Sequence, residues 1–198
     1  MFVLGLTGSI GMGKSTAAAM FRAEGIPVHD SDAVVHTLYR GEAAPAIEAA
    51  FPGTTRNGVV DRGLLGAMVL GDPAALARLE AITHPLVAAR RDAFLDEARR
   101  KAAPLVVLEV PLLFETNGDR KVDAVVLVTA PEAVQKERVS RRPGMTPQRL
   151  AAILARQMPD AEKRARAHFI IDSDGEFAAT GRQVRAILRA LAGAKSKL

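Results

Sequence analysis

The 198-residue sequence predicts an α/β fold built on a parallel five-stranded sheet with helices on both faces. Three observations carry that prediction. Five short apolar runs alternate with helical patterns, the first run passes through a glycine-rich loop into a helix, and no linker long enough to separate independent domains interrupts the chain.

Residues 2–6 (FVLGL) are short, apolar and ended by Gly8, as a fully buried parallel strand would be. Residues 14–24 read as an alanine-rich helix stopped by Gly25. Residues 26–29 form a second strand that runs into Asp30-Ser31-Asp32. Helical patterns follow at 30–38, 43–51, 61–70, 73–82 and 86–102, with His84-Pro85 opening the last of them. From about 42 to 102 the chain reads as helix without strands. That is too much for one crossover connection, and it predicts an inserted helical subdomain. Residues 105–108 and 122–128, and more weakly 168–171, complete the five strands. Between and after them, helices are expected at 132–142, 147–157 and 176–192. The last should present Phe177, Val184, Ile187, Leu188 and Leu191 on one apolar face. The Lys-Ser-Lys tail at 195–197 reads as a frayed, solvated end.

Composition narrows the function classes. Hydrophobic residues make up 48% of the chain, as in globular proteins, and there is no cysteine. Disulfides, zinc ribbons and thiol nucleophiles are excluded, and a reducing cytosol is compatible. The N-terminus has none of the features of a signal peptide and no apolar run reaches bilayer length, so a soluble, cytoplasmic protein without a membrane partner is expected. Nine basic residues between 136 and 166 face only three acids, which puts a local charge of +6 inside a chain of net +5. Such a patch suits nucleic acid or a small polyphosphate. With one Tyr and no Trp to stack on bases, the polyphosphate is the better match.

The string GSIGMGKS at residues 8–15 fits G-x-x-x-x-G-K-[ST]. Its glycines Gly8, Gly11 and Gly13 let the backbone turn tightly and expose successive N–H groups, those of Met12 and Thr16 included, to phosphate oxygens. The helix that follows adds its positive N-terminal end. Lys14 reaches the β- and γ-phosphates of a nucleoside triphosphate, and the Ser15 hydroxyl ligates Mg²⁺. Regulators, ATPases, GTPases and kinases share this loop, although the N-K-x-D signature of GTPases is absent.

The acceptor must be sought elsewhere. Strand C-termini share one rim of a parallel sheet, so Asp30-Ser31-Asp32 should lie on the loop's side. One acid suffices to cap the next helix; the other is free to hold a substrate hydroxyl and take its proton. Glu109 ends a buried strand in a Walker-B-like position, which a salt bridge to a helix would explain equally well. Pro111, Leu112, Leu113 and Phe114 lie beyond the same strand and read as the wall of an apolar pocket rather than as core alone. Arg138 and Arg142, spaced i,i+4 on the helix after Gln135, share a face within reach of Arg141. Flanked by Pro143-Gly144, they suit a lid that closes on a phosphoryl group, against the alternative of a solvated basic face. Arg90 and Arg91 suit either an anionic acceptor or plain surface charge.

With these residues assembled, the chain resembles the dephospho-coenzyme A kinase family over essentially its whole length. Gly5 to Ser15 is similar to the family's G-L-T-G-G-I-G-S-G-K-S, and Asp30-Ser31-Asp32 to its D-A-D. His84-Pro85 matches its H-P, and Pro111-Leu112-Leu113-Phe114-Glu115 its P-L-L-F-E. Gln135, Arg138 and Arg142 match its Q-x-x-R-x-x-x-R, Arg156-Gln157-Met158 the end of its R-x-x-x-Q-M, and Ile171 to Gly175 its I-D-N-x-G. Ser9 and Met12 replace the usual Gly and Ser, and Pro143 replaces an Asp. The resemblance implies a three-layer P-loop NTPase core (1–41, 103–138 and 163–192), a helical acceptor-binding insert at about 42–102 and a helical lid at about 139–162. It implies phosphorylation of the ribose 3′-hydroxyl of dephospho-coenzyme A, with ATP as co-substrate and Mg²⁺ as cofactor. Asp32 carries over to the 3′-hydroxyl, Arg138 and Arg142 to the phosphates, and His84 and residues 111–114 to the acceptor. A monomer or weak homo-oligomer without a nucleic-acid partner completes the expectation.

Overall fold

The computed structural model describes residues 1–193; the tail at 195–197 lies outside the described residues. The chain runs from β1 (Phe2–Thr7) through the glycine-rich loop into α1 (Lys14–Ala23) and on to β2 (Val28–Asp30). Next come α2 (Ser31–Leu38), α3 (Ala44–Ala50), β3 (Thr55–Arg56), β4 (Val59–Val60), α4 (Arg62–Val69) and α5 (Pro73–Arg100). The remainder holds β5 (Leu105–Glu109), a 3-10 turn at Gly118–Lys121, β6 (Ala124–Thr129), α6 (Glu132–Ser140), α7 (Pro147–Leu154), α8 (Asp160–Arg166), β7 (Phe169–Asp172) and α9 (Phe177–Leu191). These elements form two compact units, one of residues 1–29 with the chain from Ala98 onward, the other Asp30–Glu97.

In the first unit the sheet order is β2-β5-β1-β6-β7, with β1 parallel to β5 and β6, and β6 parallel to β7. Placing β1 between strands that come about a hundred residues later requires crossovers, hence helices on the faces. Every residue of β1, β5 and β6 is buried, which explains why these strands read as unbroken apolar runs. Phe2, Leu4 and Leu6 point to one face, where Ala17, Phe21, Val184 and Ile187 of α1 and α9 close the core. On the other face a Cβ at Gly5 would meet Leu113 at 2.8 Å and Val122 at 3.2 Å, so the segment after β5 packs directly on the strand.

Three expectations are corrected in this unit. The helix after β6 ends at Ser140, so Arg142 lies just past it rather than on its face. A further helix, α8, follows Pro159; its buried residue is Lys163, so it has no apolar period to betray it. Phe177 is 70% exposed and does not join the apolar face of α9.

The second unit has its own core, with Leu38, Ile47, Phe51, Val60, Leu65 and Leu79 buried together. The expectation of a purely helical segment is corrected here, because β3 and β4 pair antiparallel as a hairpin. Asn57 and Gly58 adopt φ values of 52° and 75° at its two-residue turn, the Asn-Gly geometry of type I′ hairpins. Nor does His84-Pro85 open a helix: α5 runs unbroken from Pro73 through Pro85 to Arg100. An interior proline costs about 3 kcal/mol. Leu79 and Ile82 before it, and Leu86 and Val87 after it, pack against the same core and offset that cost. Local carboxylates finish the helix ends. Asp61 accepts from the backbone N–H of Gly63 and Leu64, and Asp72 from those of Ala74 and Ala75.

Candidate phosphate-binding site

The loop between β1 and α1 is shaped by close approach. At Gly8 a Cβ would sit 2.6 Å from the Val128 carbonyl oxygen of β6, so no side chain fits there. Gly11 has φ 79°, and a Cβ would lie 2.6 Å from Val139. Gly13 is the N-cap of α1, whose first residues are Lys14 and Ser15.

Side chains from distant segments hold this loop. Gln135 donates through Nε2 to the Ile10 carbonyl at 2.7 Å, and Gln157 accepts from the Ile10 N–H at 3.2 Å. Ser173 Oγ donates to the Met12 carbonyl at 2.9 Å. The two loop positions that depart from the family pattern also serve as anchors. Met12 is buried, with its Sδ 3.1 Å from the Ala130 N–H, and Ser9 Oγ accepts from Lys163 Nζ at 3.3 Å. Lys163 is fully buried and pairs with Glu115 at 2.9 Å, while Glu115 also accepts from the Met158 N–H. One buried ion pair therefore ties α8, the segment after β5 and the loop together.

Beneath the loop, Lys14 Nζ lies 2.6 Å from Glu109 Oε1 at the end of β5, and Arg22 is 3.8 Å from Oε2. The Glu109 carboxylate is 1% exposed, so this is a buried charge with paired partners. Of the two sequence readings of Glu109, the salt bridge to α1 is the one the structure displays, made from the end of the strand that pairs with β1. Its Oε1 is 3.4 Å from the Ser15 hydroxyl, and its Oε2 is buried without a hydrogen bond. A hydroxyl next to a carboxylate is a hard oxygen pair that fits Mg²⁺, which takes few protein ligands and keeps water and phosphate oxygens for the rest. Among the described residues no group of three His, Asp or Glu side chains is suited to a metal, and such a Mg²⁺ site does not need one.

Arg138 of α6 donates to Ser173 Oγ at 2.9 Å and to the Ser173 carbonyl at 2.6 Å, which aims its guanidinium across the loop. Despite lying off the helix, Arg142 shares a pocket of about 290 Å³ with Arg138. Gly11, Gly13 and Thr16 line the same pocket, together with the 173–180 segment. Arg141 instead pairs with Glu137 on the surface. Sequence reasoning missed Lys163, Ser173 and Phe177 as parts of this neighbourhood. Ser173 had a signal in the Ile171 to Gly175 stretch, whereas Lys163 was one basic residue among nine.

The basic segment is partly neutralised by ion pairs. Lys136, Arg141, Lys163, Arg164 and Arg166 pair with Glu132, Glu137, Glu115, Asp160 and Asp119, so five of its nine cations are matched by carboxylates. Of residues 111–114, Leu113 and Phe114 are 2% and 3% exposed and pack as core, with Arg166 stacked on the Phe114 ring at 4.7 Å. Pro111 and Leu112 remain partly exposed.

The second unit carries the other expected residues. Asp30 caps α2, its Oδ1 accepting from the Ala33 N–H at 2.9 Å, and Asp32 is exposed in the first turn. His84 is exposed on α5, next to Pro85. Arg90 and Arg91 are paired with Glu42 and Asp92. Among the described residues, no helix is long and apolar enough to cross a membrane.

Comparison with known proteins converges on one family. The dephospho-CoA kinase family profile matches residues 2–179. A dephospho-CoA kinase of Rhodopseudomonas palustris is 58% identical over 192 residues, covering 97% of this chain and 96% of the relative. One of Mesorhizobium japonicum is 61% identical over 193 residues, covering 98% of each. A crystal structure from Thermus thermophilus superposes with a TM-score of 0.82 at 37% identity, over 96% of this chain and 97% of that one. A glycine-rich loop on a parallel sheet, a lysine held at its base and two arginines in one pocket thus occur in a chain that is similar to these kinases over nearly its whole length, and the chain belongs to the dephospho-CoA kinase family.

Proposed function

We propose that this protein transfers the γ-phosphoryl group of ATP to the ribose 3′-hydroxyl of dephospho-coenzyme A, giving coenzyme A and ADP in the last step of coenzyme A synthesis. The observation that carries the reading is the convergence of the glycine-rich loop, Arg138 and Arg142 on one pocket in a member of this family.

Phosphoryl transfer passes through a loose transition state, so catalysis consists mainly of positioning and charge neutralisation. The backbone N–H groups of residues 8–16 receive the phosphates. Lys14 exchanges the Glu109 carboxylate for the β- and γ-phosphate oxygens. Ser15, supported by Glu109, would hold the Mg²⁺, which supplies positive charge to those oxygens. Arg138 and Arg142 neutralise the transferring group, and Arg142 is preferred to Arg141 because the latter is engaged with Glu137. Asp32 orients the acceptor hydroxyl and accepts its proton, a role open to it because Asp30 already serves as the cap. His84, Pro111 and Leu112 contact the acceptor, with Leu113 and Phe114 as the buried support behind them. Residues of about 42–102 form the acceptor-binding part and about 139–162 the lid. The protein acts as a cytoplasmic monomer or weak homo-oligomer, with no nucleic-acid partner and no membrane.

The test is direct. Purified protein is incubated with ATP, Mg²⁺ and a panel of acceptors including dephospho-coenzyme A and nucleoside monophosphates, and products are read by mass spectrometry. Coenzyme A is the expected product. Phosphorylation of another acceptor in preference to dephospho-coenzyme A would overturn the reading.

A further inference from the structure

Phe177 stands apart from the other aromatic residues. The chain has seven Phe, one Tyr and no Trp. Phe2, Phe21, Phe51 and Phe114 are all buried, whereas Phe177 is 70% exposed. A single exposed apolar side chain is ordinary on a protein surface and by itself points to nothing. Phe177, however, lines the phosphate-binding pocket with Gly11, Gly13, Thr16, Arg138 and Arg142, and is the large apolar side chain among glycines, hydroxyls and guanidinium groups.

The segment that carries it is held firmly. Arg138 grips Ser173, which in turn bonds the loop at Met12. Gln183 accepts from the Asp172 N–H at 2.9 Å and donates to the Asp172 carbonyl at 2.8 Å. Thr180, one turn after Phe177, is buried. From a braced helix start, Phe177 therefore lines a pocket whose other groups suit phosphates. A nucleoside triphosphate is a polyanion joined to a flat π-face, and this pocket offers cations and amides with one flat ring.

The geometry points to Phe177 as the platform on which the base of the donor nucleotide stacks. This assignment rests on the reading of the pocket as the ATP site. Stacking recognises the face of a base and not its edge, so Phe177 supplies affinity with little choice between purines.

The variants Phe177→Ala, Phe177→Leu and Phe177→Trp test it in the full chain. Replacing a base-stacking ring costs about tenfold in affinity. In Phe177→Ala, KM for ATP and for GTP should rise together by about that factor, with KM for dephospho-coenzyme A unmoved. Phe177→Leu keeps apolar bulk without the ring and should behave like Ala; recovery to wild-type KM would mean a mere apolar cover and overturn the assignment. Because the protein lacks Trp, Phe177→Trp introduces a single indole. Its emission should be quenched by ATP and ADP and not by inorganic tripolyphosphate. An unchanged KM for ATP in the Ala variant, or equal quenching by tripolyphosphate, would sink the proposal. Quenching by ATP in a protein that phosphorylates some other acceptor would retain the platform while removing the dephospho-coenzyme A reading, so the two failures are distinguishable.

Discussion

The two compact units stabilise their chemical groups by contacts of very different reach. In the sheet-containing unit, Lys14 meets Glu109, Lys163 meets Ser9, and Ser173 meets Met12 across 95, 154 and 161 residues. In the 30–97 unit, Asp30, Asp61 and Asp72 bond backbone groups two or three residues on, Glu48 reaches five to seven, and the exposed Arg90–Glu42 pair spans 48. The difference teaches where each unit's precision comes from. A phosphate-binding loop must hold consecutive N–H groups in a conformation the loop cannot hold alone, so distant elements brace it. Helix ends need only a nearby oxygen.

The largest effect should come from the one exposed acid assigned to chemistry in the locally stabilised unit. Asp32→Asn is expected to lower kcat by about 10²–10⁴ with little change in stability. A near-normal kcat, read by coupling ADP formation to a spectrophotometric assay, would remove Asp32 from that role.

Next in size is the long-range bracket. Lys163→Met strands the Glu115 charge in a buried site, a change that costs about 3–5 kcal/mol. In a chain of this length that corresponds to a melting temperature lower by roughly 10 °C. Pairing it with Glu115→Gln removes the stranded charge and should restore much of the loss, because the side-chain amide oxygen can still accept from the Met158 N–H. Additive losses in calorimetry would mean that the two side chains do not act as a pair.

A local cap should cost less. Asp61→Ala leaves the Gly63 and Leu64 N–H groups of α4 without their partner, at about 1 kcal/mol. If denaturant titration finds a loss as large as that of Lys163→Met, the contrast between the two units fails.

The smallest effect concerns pH. The Gly53 N–H, with the Thr55 hydroxyl next, holds the Glu48 carboxyl below its usual range. The resulting stabilisation is complete above the ordinary carboxylate pKa and is lost as pH falls through the lower folded-state value. Thermal melts taken down through the carboxylate range should therefore show a shallower acid-side decline for Glu48→Gln than for the wild-type chain.

How much was legible follows the same division by reach. The strands β1, β5 and β6, the loop at residues 8–15 and α1 could be read because unbroken apolar runs and glycine spacing are local signals. The hairpin escaped despite its Asn57-Gly58 turn, because two-residue strands are too short to show alternation. Pro85 suggested a helix start because a proline's local cost is visible in sequence, while the core that outweighs it is not. The site divided similarly. Gly8 to Ser15 and the arginines Arg138 and Arg142 were singled out from spacing, but Phe177 was read as core because its position continues the period of α9.

The sequence by itself determined the glycine-rich loop, the alternation of strands and helices and the absence of thiol chemistry, since each depends on residue type and short-range order. Tertiary structure alone decided that Lys14 rests on Glu109, that Lys163 is buried against Glu115 rather than displayed in a basic patch, and that Phe177 faces the pocket. Charge pairing and burial depend on distance in space, and residues 95 or 154 positions apart acquire that distance only when the sheet is ordered.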